Sequence, residues 1–212
     1  MTSESPTPST RDNLIAAGLH LFGRDGFAAT STRQLAAMAE TNVASIAYHF
    51  GSKAGLHAAC AQAVASKIAG IVGSPHPPGA LSADAAAERI ETAIRRLVTF
   101  LVQAPGADDM VAFVLREIDA PGEVAETIYA GFIEPKHREL CALWAAATGR
   151  DAESETVRLT VFSMIGQAVY FRVGRPFVLR RMGWADVGED EARMIADTLA
   201  ANLRAAIRRD RT

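Results

Sequence analysis

The sequence predicts an all-α protein: an N-terminal three-helix unit of helix-turn-helix layout, followed by a C-terminal helical bundle. Of the 212 residues, 49 % are hydrophobic but only 7 % aromatic, and alanine supplies much of the apolar fraction, which favours helices. Apolar residues recur at three- and four-residue spacing behind good N-capping residues in one segment after another. No alternating strand pattern of useful length interrupts them, and no internal repeat appears.

Leu14, Ala17, Gly18, Leu21 and Phe22 place a first helix over about 10–24, ended by Gly23 and Gly26. Phe27 is expected to pack back onto this unit. Ser31 caps the second helix, and Gln34 three residues on completes a capping box, with Leu35, Ala36 and Met38 pointing inward. Asn42 caps the third helix, whose inward anchors are Ile46 and Phe50. Gly51-Ser52 break the chain, and Ser52 caps a fourth helix running to about Val72. Residues 73–80 (G-S-P-H-P-P-G-A) cannot continue a helix and read as a loop. Further helices follow over about 82–103, 108–119, 122–148, 151–172, 176–182 and 189–209, with Pro135 expected to end or kink the third of these. In domains, 1–9 read as a disordered lead, 10–56 as the helix-turn-helix unit with the fourth helix connecting to about 72, and 73–212 as a ligand-binding and dimerisation domain.

Composition narrows the partners. The net charge is −2, so the chain is no general polyanion binder. A DNA site must come from local geometry and a few cations, duplicated in a dimer. Cys60 and Cys141 lie far apart without a C-x-x-C pattern, and neither a zinc site nor a disulfide framework follows. Two ordinary thiols suit a reducing cytoplasm. The polar opening lacks the apolar core of a signal peptide, and no run approaches the roughly 20 apolar residues that span a bilayer. The expectation is a cytoplasmic protein without a membrane segment.

A short capped helix, a tight turn and a very short second helix form the layout that docks its second helix in the major groove. With Ile46 and Phe50 inward, Ala44, Ser45, Ala47 and Tyr48 face out, flanked by Val43 and His49. Val43, Ala44 and Ala47 can touch thymine methyls. Ser45 can bond a base edge or a phosphate. Tyr48 and His49 can donate to phosphate oxygens, which sets register rather than sequence. Arg33 can reach a guanine edge or a phosphate, and Ser52 with Lys53 sits at a helix N-terminus that favours a phosphate.

The stretch from Thr10 to Leu56 resembles the DNA-binding domain of the TetR family of bacterial transcriptional regulators. G-R-D-G-F-A-A-T-S-T-R-Q-L-A at 23–36 and I-A-Y-H-F-G-S-K-A-G-L at 46–56 carry the resemblance, which covers about a quarter of the chain. It matches Ile46 to the family's core leucine, Tyr48-His49-Phe50 to its aromatic-His-apolar triplet and Lys53 to its phosphate-binding lysine. By the same match Thr32, Arg33, Val43, Ala44, Ser45 and Ala47 fall where family members contact DNA. Two departures stand out. The family's turn reads Gly then an apolar residue, whereas this chain has Glu40-Thr41. A non-glycine in left-handed geometry costs on the order of 1–2 kcal/mol, so either the turn differs or the bend tolerates the strain. Ala47 replaces a frequent Tyr, which implies weaker contact at that base step. Asn42-Val43-Ala44 and M-I-G-Q-A-V-Y-F-R-V-G-R-P-F-V-L-R-R-M-G-W at 164–184 are similar to the CecR-like branch of the family.

That resemblance implies a ligand-responsive homodimer, a repressor leaving a palindromic operator in double-stranded DNA when a small hydrophobic effector enters its C-terminal domain, with no cofactor. Phe100, Met110, Phe113, Val114, Trp144, Met164, Gln167, Ala168 and Phe171 are candidates for the pocket, against the alternative of ordinary core. Arg116 and Glu117, in an apolar stretch, either anchor a ligand or form a structural ion pair. His57/Cys60 and His137/Cys141 offer two ligands each, too few for a metal site. The last two long helices carry apolar stripes (Val157, Val161, Ile165, Ala168, Val169; Ala192, Ile195, Ala196, Leu199, Leu203, Ala206) that predict a four-helix dimer interface. An enzyme on a helical bundle is the second reading, opposed by the lack of a nucleophile-base-acid set, a Gly-rich phosphate loop or a carboxylate-His cluster. A protein-binding helical adaptor is the third.

Overall fold

A computed structural model describes residues 9–72 and 81–211. The lead over 1–8 and the loop over 73–80 fall outside the described residues. The described chain forms eleven α-helices and no strand: α1 (Thr10–Asp25), α2 (Thr32–Met38), α3 (Val43–Phe50), α4 (Lys53–Val72), α5 (Ala83–Gln103), α6 (Ala107–Asp119), α7 (Glu123–Ile128), α8 (Glu134–Thr148), α9 (Glu155–Val173), α10 (Arg175–Met182) and α11 (Glu189–Asp210). Most starts follow the capping residues. Ser9, placed by the sequence at the end of the lead, caps α1, and Ser31, Asn42, Ser82 and Ser154 cap α2, α3, α5 and α9. Ser52 Oγ accepts the Gly55 amide at 3.0 Å, which starts α4.

The α-helix expected over 122–148 is interrupted before Pro135: α7 ends at Ile128 and α8 begins at Glu134. A single π-turn over Tyr129–Ile133 joins α7 to α8, and Pro135 sits at the first positions of α8. Proline has no N–H, and its ring strikes the carbonyl four residues back in a regular α-helix. The wider π-turn carries the helical path past that position.

The chain divides into two compact units: one holds residues up to Ser66 with Asp108–Gly131, the other Lys67–Ala107 with Phe132 onward. In the first unit Leu14, Leu21 and Phe22 of α1, Leu35 of α2, Ile46 of α3, Leu56, Cys60 and Val64 of α4 and Phe113 of α6 are buried. Each such large side chain contributes roughly 1.5–3 kcal/mol by leaving water. Met38, expected inward, is 45 % exposed; with seven residues in α2, Leu35 and Ala36 fill the inward face. Gly23 lets α1 approach α6 closely, since a Cβ there would lie 2.9 Å from the Phe113 amide nitrogen. Beside it, His57 Nε2 of α4 meets Glu117 Oε1 of α6 at 2.9 Å, both groups buried, with the rings of Phe22, Phe27 and Phe113 within 4.7–5.3 Å of the imidazole. Burial lowers the His57 pKa more than the charge and hydrogen bond of Glu117 raise it, and the nearby Lys53 charge lowers it further.

The second unit packs α5, α8, α9 and α11 around Ile90, Ile94, Val98, Leu140, Trp144, Val157, Val161, Ile195, Leu199 and Leu203. Glu91 of α5 accepts from both Arg95 and Arg204, tying α5 to α11. The stripes assigned to a dimer interface are this core: Val157, Val161, Ala168, Ala192, Ile195, Ala196, Leu199 and Leu203 are buried within the one chain. The apolar face of an amphipathic helix goes to the nearest apolar surface, here the chain's own α5 and α8. On α9 the residues left outside include Leu159 (68 % exposed), Phe162 (50 %), Tyr170 (57 %) and Val173 (52 %). Among the described residues no single helix is long and apolar enough to cross a membrane.

Candidate nucleic-acid interface

The interface is built from the α2–turn–α3 segment. Ser31 Oγ accepts the Gln34 amide at 3.3 Å, and Gln34 Oε1 accepts the Ser31 amide at 2.8 Å, closing the capping box. At the other end of α2 the Thr41 amide bonds the Ala36 carbonyl and the Glu40 amide bonds the Ala37 carbonyl. That pairing is a Schellman closure, which requires a left-handed residue at its hinge. The residue is Glu40, with φ 51°, the one non-glycine with positive φ among the described residues. Of the two alternatives left open by the sequence, the turn keeps its shape and bears the strain.

Asn42 Oδ1 then accepts the Ser45 amide at 3.0 Å and starts α3. Ile46 is 2 % exposed and Phe50 is half-buried, which anchors α3 on the unit and turns its opposite side out. Val43, Ala44, Ala47 and Tyr48 are exposed, Tyr48 to 85 %. Ser45 and His49 are half-buried, and the Tyr48 and His49 rings meet edge-on at 4.9 Å. On α2, Arg33 is exposed and Thr32 half-buried. These side chains form one continuous surface of small groups with a phenol and an imidazole at its end. Small residues let a helix approach the floor of a major groove, and an exposed phenol can donate to a phosphate oxygen.

Lys53 is more engaged than its position suggests. Its ammonium donates to the carbonyls of Phe27 (2.8 Å) and Thr30 (2.9 Å) and lies 4.2 Å from the centre of the Phe27 ring. An ammonium has three N–H bonds, so these two leave one for a further acceptor. Three contributors escaped the sequence reading. Thr30, 1 % exposed, donates its hydroxyl toward the carbonyls of Leu21 and Gly26 and closes the turn that Lys53 fastens. Arg11 of α1 lies over the Phe50 ring at 5.4 Å. Thr41 Oγ1 lies 2.9 Å from Ser45 Oγ; its four-residue spacing from Ser45 was the only available signal.

The candidate ligand residues fall in both units. In the first, Phe113 is fully buried beside His57, and Arg116 is exposed with Nη2 donating to the Arg24 carbonyl at 2.6 Å. Glu117 is engaged with His57. In the second, Trp144 is fully buried, its indole N–H donating to Asp210 at 3.3 Å. Phe171 is half-buried. Met164 and Gln167 come together in a groove of about 460 Å³ between α9 and α11, lined also by Leu159, Ser163, Asn202 and Ala206. The Asn202 amide donates to Gln167 Oε1 at 3.1 Å in that groove. His137 Nε2 donates to the Arg158 carbonyl at 3.1 Å, which leaves Nδ1 to accept from the Cys141 thiol at 3.7 Å. Among the described residues no group of three or more His, Cys, Asp or Glu could hold a metal ion.

Two family models match the chain. Residues 14–60 match the bacterial regulatory proteins of the tetR family, and residues 86–208 match the C-terminal domain of the HTH-type transcriptional dual regulator CecR. The chain is 35 % identical over 207 residues to the HTH-type transcriptional dual regulator CecR of Shigella flexneri, covering 91 % of this chain and 89 % of that protein. Its fold is similar to that of AibR crystallised with isovaleryl coenzyme A and operator DNA (TM-score 0.66, 15 % identity, 91 % of this chain and 96 % of that one). It is also similar to a TetR-like transcriptional regulator from Rhodococcus sp. RHA1 (TM-score 0.65, 17 % identity, 96 % and 98 %).

Proposed function

The chain belongs to the TetR family of bacterial transcriptional regulators, with a C-terminal domain of the CecR type, and from that premise we propose that it is a cytoplasmic homodimeric repressor released from a palindromic operator by a small hydrophobic effector. The family is one of DNA-binding regulators rather than enzymes. The observation that carries the reading is the outward face of α3, where small side chains from Val43 to Ala47 end in a Tyr48 that is 85 % exposed. In this reading Val43, Ala44, Ser45 and Ala47 meet bases, Thr32, Tyr48, His49 and Lys53 hold phosphates, and Arg33 reaches a guanine or a phosphate. A second copy covers the outer face of α9, where Leu159, Phe162, Tyr170 and Val173 are at least half exposed, together with the α9–α11 groove. Two recognition helices then stand about one DNA turn apart, roughly 34–36 Å.

The effector enters the C-terminal domain, with Trp144, Met164, Gln167 and Phe171 as its candidate contacts, and it must favour the state that does not bind DNA. Acyl thioesters lead the compound screen, because AibR holds isovaleryl coenzyme A with its operator. Selection of bound sites from random duplexes, followed by anisotropy titration at several salt concentrations, tests the reading. The expected result is a palindromic site with a steep salt slope, since each phosphate neutralised adds about 0.9 to it. Tyr48→Ala lowers affinity alike for all operator variants, whereas Arg33→Ala changes the preference at one position. Failure to retain any duplex, or equal losses from every substitution, overturns it.

A further inference from the structure

The first turn of α3 carries a small hydrogen-bond chain whose proton directions are set by its members. The Ser45 amide is a donor only, so the Asn42 atom 3.0 Å from it is the carbonyl oxygen Oδ1, an acceptor only. Ser45 Oγ lies 3.2 Å from that same oxygen. Two sets of lone pairs would repel at this separation, so the Ser45 hydroxyl spends its single proton on Asn42. Thr41 Oγ1 lies 2.9 Å from Ser45 Oγ, and with the serine proton already committed, Thr41 must be the donor there. Ser45 Oγ thus gives one hydrogen bond, receives one, and keeps one lone pair. Asn42 is exposed and Ser45 half-buried, on the first turn of the helix assigned to the groove.

We propose that Ser45 offers the major groove an acceptor and no donor, so that it selects a base bearing an exocyclic amino group, adenine or cytosine, on the strand it faces. Asn42, which takes the serine proton, is the positioning residue that holds it in this state. Adenine N6 and cytosine N4 are the amino donors of the major groove, whereas guanine O6 and N7 and thymine O4 are acceptors. An acceptor set against an acceptor repels, and a phosphate oxygen is refused for the same reason. Every base pair contains one amino base, but its amino group lies on one strand. A fixed acceptor therefore reads which strand carries it, allowing A or C and rejecting G or T. The inference rests on α3 being the reading helix.

The test uses the full-length dimer in parallel selections from random duplexes with wild type, Ser45→Ala, Asn42→Gly and Asn42→Asp. In each half-site one position should admit A and C but not G and T for wild type, and lose that preference in Ser45→Ala. Asn42→Gly, which removes the acceptor of the serine proton and frees it to turn outward, should admit G and T at that position, while Asn42→Asp, which keeps that acceptor, retains the wild-type preference. A merely structural Asn42, acting only as the cap of α3, would lower affinity at all sites without changing any preference. Wild type also gives a readout that needs no variant to fold. Where adenine occupies the position, unsubstituted purine, which lacks the 6-amino group, should bind roughly tenfold more weakly, as for one lost hydrogen bond, and 7-deazaadenine, which keeps it, should bind as adenine does. Where cytosine occupies it, pyrimidin-2-one replaces purine as the amino-free probe.

A Ser45-dependent position that selects G or T, no Ser45-dependent position at all, or equal binding of the amino-free and amino-bearing bases overturns the proposal while leaving α3 as the reading helix. If wild type retains no duplex, the reading of α3 and the proposal fall together.

Discussion

At the scale of single residues, two positions sit against a local rule and show what the fold demands of them. Glu40 holds φ 51° at the hinge between α2 and α3, where a Cβ is crowded by the backbone. Glu40→Gly removes that conflict, partly offset by the greater freedom of glycine in the unfolded chain. The expected gain is about 1 kcal/mol in urea unfolding with DNA affinity retained; a loss of stability would mean that the glutamate side chain supports the turn. Gly18 faces the opposite constraint. A Cβ there would lie 2.6 Å from Cys60 Sγ, inside a thiol that is itself fully buried and whose pKa burial pushes up to about 12. Gly18→Ala should cost about 1–3 kcal/mol by overpacking, and adding Cys60→Ala should recover part of it. A double-mutant cycle with no coupling would show that the two positions do not press on each other.

At the scale of elements, the contact of α4 with α6 depends on a group with a pH-dependent charge. His57 titrates below its ordinary value because burial opposes the charged form more than Glu117 supports it. The unfolded state therefore binds the proton more readily than the folded one, and unfolding free energy rises with pH through that window. Stability is fully present above the ordinary histidine value of about 6.5 and is lost as pH falls below it through the folded value. Urea midpoints at pH 8 and pH 5.5 should differ more for wild type than for His57→Gln, which keeps a donor toward Glu117 but cannot titrate. An equal drop in both would assign the pH dependence to other groups. The π-turn before Pro135 belongs to this scale too: the α-helix stops at Ile128, and a new one starts at Glu134 with the proline in its first turn.

At the scale of the whole molecule, the repressor reading requires two copies, and α9 supplies a face for the second. Leu159 is 68 % exposed and Val161 fully buried, two residues apart on one helix. Leu159→Glu should leave the helical content intact, convert the dimer to a monomer in sedimentation, and weaken operator binding. Val161→Glu places an unpaired carboxylate in the core and should unfold the chain instead. A dimeric, folded Leu159→Glu would move the interface elsewhere.

The all-helical order of the N-terminal unit, the capped starts of α2 and α3 and the outward face of α3 were legible because caps and apolar spacing act within a few residues of one another. Ser31 with Gln34, and Asn42 with Ser45, bond across three positions, and no distant partner is needed to read them. Packing over long sequence separations was not legible. The stripes of α9 and α11 were visible as stripes, but periodicity cannot say whether the surface that covers them belongs to the same chain or to another copy. Lys53 reaches a turn 23 and 26 residues away, and His57 meets Glu117 across 60 residues. Such pairings follow from how helices stack, a property of the assembled chain that no short window of residues contains.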